Sequence, residues 1–135
     1  NTEYTLAEGA KNGVPEENLN KERKVGGEQR DSFSRAVKAG AKVVLGSDAG
    51  VYPHGDNAKQ FSRMVQFGMT PLQAIQAATI HSAALIGWDD KVGELAEGKF
   101  ADVIAVDGNP LDDVSVLERV SFVMKGGDVI KHLPM

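Results

Sequence analysis

The sequence predicts an α/β chain that ends in a small all-β part, and three features carry that reading. A helical pattern, a tight glycine turn and a mostly apolar β-branched run follow one another between Glu28 and Gly46. Further helical stretches with start and stop signals fill the chain to Gly87. Beyond Trp88-Asp89-Asp90 the pattern changes to that of short strands and a hairpin.

Residues 1–27 are polar, with Asn12-Gly13 and Gly26-Gly27 as turn signals and Pro15 as a breaker. A short helix through Thr5-Leu6-Ala7-Glu8 fits that segment but buries little by itself. From Glu28 to Ala39, Phe33, Ala36 and Val37 fall at helical spacing. Glu28 and Asp31 lie in the first turns, where acidic groups are favoured, and Gly40 is placed to end the helix. Ala41-Lys42-Val43-Val44-Leu45-Gly46 is too short for a helix and reads as a strand covered on both faces, as in a parallel sheet. A loop rich in glycine runs from Ser47 to Gly55. Asp56 is the expected N-cap of the next helix, with Ala58, Phe61, Met64 and Val65 as its apolar stripe and Gly68 at its end. Thr70-Pro71-Leu72-Gln73 spells a capping box with proline at the first helical position, on a helix expected to turn Leu72, Ile75 and Ala78 inward. Thr79 is placed to cap one more short helix holding Ala83, Leu85 and Ile86. Strands are expected over Ala101 to Val106 and Val120 to Met124. Gly126-Gly127 is a hairpin signal leading into Asp128 to Lys131.

Composition narrows the chemistry. The 135 residues are 41% hydrophobic and 25% charged, enough for a modest core. The net charge of -4 is spread along the chain, and no basic stripe marks a nucleic-acid partner. The chain has no cysteine, which excludes disulfides, thiolate metal sites and cysteine nucleophiles, and which suits the reducing cytoplasm expected as its location. No apolar run approaches the roughly 18 residues of a membrane span, and no leader is visible. The first residue is Asn1, so the start is a processed end, an expression boundary or an interior point of a longer protein.

Asp48 is the sharpest candidate. It follows the apolar run directly, where catalytic groups of α/β sheets and barrels collect. A carboxylate there can bind a divalent cation or take a proton from a metal-activated water. Gly46, Ser47, Ala49 and Gly50 are small enough for a ligand to approach. Aspartate in a glycine-rich loop serves equally well to organise the turn, and position alone leaves the two roles level. His54, six residues on, completes no known metal spacing and by itself reads as an exposed loop histidine. Tyr52 either offers its hydroxyl to a substrate or packs on the loop. His81 and His132 are isolated and read as structural or surface residues. Asp89-Asp90 and Asp112-Asp113 are turn acids rather than a catalytic pair. Nucleophile-elbow, Walker and dinucleotide motifs are all missing.

The run Gly-Ser-Asp-Ala-Gly-Val-Tyr-Pro-His-Gly, Gly46 to Gly55, resembles the strand-8 motif of the amidohydrolase superfamily. It is most similar to the branch containing imidazolonepropionase-like proteins and Xaa-Pro dipeptidases of the prolidase type. The resemblance continues through Gly68-Met69-Thr70-Pro71, Ala77-Ala78-Thr79 and Leu85-Ile86-Gly87. It then takes in the run from Val92 to Asp102, Asp107-Gly108-Asn109-Pro110-Leu111 and Val123-Met124-Lys125-Gly126-Gly127. The blocks keep the family's order from about Glu28 to Lys131.

The resemblance implies the C-terminal piece of a (β/α)8 TIM barrel over residues 1–90, and C-terminal strands of a small composite β-sandwich over 91–135. It implies one or two divalent metal ions, zinc first, with Asp48 as metal ligand and general base and with His54 and Tyr52 near the substrate. Asp102 would belong to the sandwich and not to the site. The family's remaining metal ligands would come from strands preceding Asn1, and a full barrel takes about 250 residues. The implied partners are therefore the rest of the barrel, a dipeptide or other small-molecule substrate, and a second copy in a homo-oligomer. The expected reaction is hydrolysis of an amide or peptide C–N bond, a dipeptide ending in proline first. Hydrolysis of a cyclic amide or imidazolone, or a non-catalytic split subunit, are the alternatives.

Overall fold

Five helices precede a three-stranded antiparallel sheet in a computed structural model that describes residues 2–50 and 53–133. Helix α1 spans Thr2–Glu8 and α2 spans Glu16–Lys38. The second helix therefore begins at Glu16 and not at Glu28, and it runs straight through Gly26-Gly27, which the sequence marks as a turn. Local features support the earlier start: Pro15 precedes the first turn, and Glu16 and Glu17 sit where the helix dipole favours negative charge. Packing then carries the glycines, because Leu19 is only 1% exposed and Gly26 is buried on the same face one heptad later. Leu19 lies so close to Gly9 that a Cβ there would meet Leu19 Cδ2 at 2.8 Å.

Glycine in a helix interior costs up to about 1 kcal/mol relative to alanine through its unfolded-state freedom. A Cβ at Gly27 would meet nothing within 4 Å. Gly27→Ala is thus expected to raise stability by about 0.5–1 kcal/mol, read as a higher denaturant midpoint at constant slope.

Residues 41–46 carry no strand pairing, which corrects the expectation of a buried strand. A strand forms only against a paired neighbour, and the described residues supply none for this segment. What holds the segment is a pair of backbone bonds, Ala41 N–H to the Ala36 carbonyl at 3.0 Å and Leu45 N–H to the Ala77 carbonyl at 3.1 Å, together with packing of Val43 and Leu45 on the core. That core is Met64, Met69, Ala74 and Ala77, surrounded by Phe33, Val37, Val43, Leu45, Phe61 and Val65.

Helix α3 spans Lys59–Gln66, with Ala58 at its N-cap. Asp56 is not the cap. It ends a 3-10 turn, His54–Asp56, whose helical path already uses its backbone, and its carboxylate pairs with Lys59 Nζ at 2.8 Å. Helix α4, Pro71–Ala78, has the capping box read from its sequence: Gln73 N–H donates to Thr70 Oγ1 and Thr70 N–H to Gln73 Oε1. Its buried residues are Ala74 and Ala77, while Leu72 is 50% exposed and Ile75 and Ala78 are half-buried. Small residues let the helix lie close against α3, so the alanines and not Leu72 face the core. Helix α5, Ile80–Leu85, buries Ala83 but leaves Leu85 and Ile86 exposed. The Thr79 hydroxyl donates back to the Ile75 carbonyl at 2.7 Å instead of capping α5.

The sheet is β1 (Val103–Val106), β2 (Val120–Lys125) and β3 (Asp128–His132), in that order across it. β1 starts two residues inside the expected range. Lys125 pairs with Asp128 across Gly126 and Gly127, whose φ values of 58° and 94° are those a two-residue primed turn demands. Asp102 pins this hairpin: one carboxylate oxygen accepts from Gly126 N–H at 2.7 Å and the other from Lys125 Nζ at 2.9 Å. These bonds hold its pKa below the ordinary aspartate value, the lysine hydrogen bond first. A lowered folded-state pKa adds stability above the unfolded value of about 3.9, and that stability is lost as pH falls through the folded value. Asp102→Asn is therefore expected to lower stability near pH 7, with the deficit shrinking as pH falls below about 4, which a pH series of thermal midpoints measures.

A 3-10 helix at Val114–Glu118, unforeseen in the sequence, joins the sheet to α3. It buries Val114, Val116 and Leu117, and Glu118 accepts from Ser62 Oγ at 2.7 Å. Among the described residues no helix is long and apolar enough to cross a membrane.

Candidate active site

The loop after Leu45 holds the residues singled out for chemistry. Leu45 is anchored to α4 and packed on the core, so the chain leaves a fixed point three residues before Asp48. Asp48 is exposed and takes φ of 45°, the only positive value among described residues other than glycine. Left-handed backbone costs most residues about 1–2 kcal/mol, and aspartate and asparagine tolerate it best through their short polar side chains. Backbone outliers of this kind cluster at functional sites.

His54 opens the 3-10 turn before α3 and is exposed. Tyr52 lies outside the described residues. Among the described residues, no three histidine or acidic side chains converge closely enough to hold a metal ion. As a hard oxygen donor that is exposed and accepts no hydrogen bond among the described residues, Asp48 suits a divalent cation as one ligand of a set. The structure does not join it to a second ligand.

The other histidines are placed away from this loop. His81 lines a cleft of about 220 Å³ with Val37, Lys42, Val43, Met69 and Gln73, at the start of the 41–46 segment rather than its Asp48 end. His132 packs edge-on against Phe122 in the sheet, with ring centres 5.9 Å apart. Asp112 accepts from Asn109 Nδ2 at 2.9 Å, and Asp113 accepts from Ser115 N–H at 2.9 Å, so both acids organise the turn before Val114. Sequence reading passed over Asn57. Its side-chain oxygen is buried with no hydrogen-bond partner, a state that no spacing in the sequence reveals.

The chain matches the amidohydrolase family over residues 1–130, and it belongs to that family. The match reaches back to the first residue, well before the motif blocks that begin near Glu28. Members of the family are hydrolases, generally metal-dependent, and the related structures imply a TIM-barrel-type fold.

Among particular relatives, the chain is 43% identical to a Xaa-Pro dipeptidase crystallised with methionine in its active site. That likeness has a TM-score of 0.87 and covers 96% of this chain and 32% of the other. Ochratoxinase from Aspergillus niger is 40% identical over 105 residues, which is 74% of this chain and 22% of that protein. Imidazolonepropionase from Symbiobacterium thermophilum is 38% identical over 73 residues, 52% of this chain and 17% of that protein. The chain thus spans about a fifth of the length of these curated relatives.

Proposed function

We propose that this chain is the part of a metal-dependent amidohydrolase that carries Asp48, and that the complete enzyme cleaves dipeptides ending in proline. The carrying observation is the 43% identity to a Xaa-Pro dipeptidase along nearly the whole chain, combined with the left-handed aspartate at the end of the 41–46 segment. In this reading residues 1–90 belong to the barrel and 91–135 to the sandwich, and the other metal ligands come from outside these residues. A second copy completes a homo-oligomer, and the cysteine-free sequence suits the cytoplasm.

Asp48 would hold the divalent ion, zinc first, through its carboxylate. When bound, such an ion polarises the scissile carbonyl and lowers the pKa of the attacking water. The Asp48 carboxylate takes the proton that water loses and returns it to the leaving nitrogen. Proline leaves as a secondary amine, a poor leaving group until protonated, so that proton return matters more than for an activated amide. His54 and Tyr52, a few residues further along the loop, would contact the substrate, His54 by donating to its carboxylate.

Imidazolonepropionase-like ring opening is the second reading, supported by the 38% identity over 73 residues. A panel assay of the complete protein separates the two. The first reading expects kcat/KM on Xaa-Pro dipeptides to exceed that on imidazolone propionate by at least about 100-fold, a gap of roughly 2.7 kcal/mol in transition-state binding. The reverse ranking assigns the second reading, and no hydrolysis of either points to a non-catalytic chain.

A further inference from the structure

One polar group in the loop region does not match its surroundings. Asn57 Oδ1 is buried, and among the described residues it is the side-chain atom left without any hydrogen-bond partner. A buried acceptor without a donor is unfavourable, and native structures rarely leave one. Asn57 also occupies a particular place. It follows the 3-10 turn that carries His54, next to Asp56, whose carboxylate is tied to Lys59 in the first turn of α3. Its backbone carbonyl accepts from Gln60 N–H at 3.1 Å, so the main chain is committed to the helix entry while the side chain is not satisfied. Two neighbouring polar links at this corner are made: Ser62 to Glu118 and Asp56 to Lys59.

We infer that Asn57 is a positioning residue for the His54–Asp56 turn, its carboxamide oxygen receiving an N–H or O–H donor from the rest of the barrel when the site is complete. The inference deepens the proposed hydrolase reading and rests on it. It adds a residue that acts through the loop and does not touch the substrate. A carboxamide suits the task because its oxygen accepts strongly without bringing charge into a buried place.

The opposite view is that the oxygen stays unpaired and Asn57 merely fills space. The two views make opposite forecasts for an apolar residue of similar size. If the oxygen is truly orphaned, Asn57→Leu removes an unfavourable buried polar atom and raises the thermal midpoint. If a donor is present, the same change orphans that donor and lowers the midpoint.

The test uses the complete protein with three variants: Asn57→Leu, Asn57→Ala and Asn57→Asp, the last keeping an acceptor oxygen in place. We expect Leu and Ala to lower kcat on Xaa-Pro dipeptides about 10- to 100-fold, since a misplacement of about 1 Å can reduce rate 100-fold. KM should change less than threefold, and Asp should recover only part of kcat, since it keeps the acceptor oxygen but brings charge into the buried place. Hydrogen–deuterium exchange over residues 46–58 should speed up in Leu and Ala while exchange in the sheet strands stays unchanged. A more stable Asn57→Leu protein with wild-type kcat and wild-type loop exchange overturns the inference and leaves the hydrolase reading intact. A wild-type protein that hydrolyses no dipeptide removes the dipeptidase reading instead. The midpoint and exchange measurements then decide by themselves whether Asn57 Oδ1 has a donor.

Discussion

Replacing Asp48 by asparagine in the complete enzyme is expected to reduce kcat on Xaa-Pro dipeptides by about 100- to 10,000-fold, the range associated with loss of a general base. Stability should hardly change, because asparagine tolerates left-handed backbone as well as aspartate does and φ here is 45°. That combination separates chemistry from fold. A purely turn-forming Asp48 predicts the opposite pattern for a second variant. Asp48→Gly relaxes the backbone at no steric cost, so a turn role predicts an active, more stable protein. The metal-site role predicts a protein that is at least as stable and equally inactive. Steady-state kinetics beside thermal midpoints for the two variants give the answer.

The second large effect is in the core. Met64 is 7% exposed and sits at the centre of the cluster with Met69, Ala74 and Ala77, against which Val43 and Leu45 pack. Met64→Ala removes buried volume that two small alanines cannot refill, and a loss of about 2–5 kcal/mol is expected. Chemical denaturation with an unchanged slope measures it. The consequence reaches the loop. Val43 and Leu45 lead directly to Asp48, so the destabilised variant should also turn over more slowly, by a factor smaller than that of Asp48→Asn. A loss below about 1 kcal/mol would mean that the cluster collapses around the gap and does not brace the loop.

Much of the architecture was legible in the sequence where local rules are strong. The Thr70–Gln73 capping box, the Gly126-Gly127 hairpin and the helical stripe through Phe61, Met64 and Val65 each follow from a few adjacent residues. Legibility failed where partners distant in sequence decide. Gly26-Gly27 reads as a turn, yet a helix held through Leu19 runs across it. Val43 to Leu45 reads as a buried strand, yet no edge partner lies among the described residues. Leu72 fits an inward stripe, but close helix packing selects Ala74 and Ala77 instead. The 3-10 helix at Val114–Glu118 is too short to show a period at all. At the site, residue type and loop position picked out Asp48, and its backbone conformation supports a special role there. The unpaired oxygen of Asn57 could not be seen in sequence, because it depends on which groups meet in space.

Metal dependence of dipeptide hydrolysis is the measurement closest to the central claim. The complete protein is dialysed against a chelator and assayed on a Xaa-Pro dipeptide before and after adding back a divalent cation, zinc first. The account predicts hydrolysis that falls to background on chelation and returns with the ion in wild type, and a background rate in Asp48→Asn under all three conditions. Turnover that survives complete metal removal, or an Asp48→Asn enzyme as active as wild type, would contradict it.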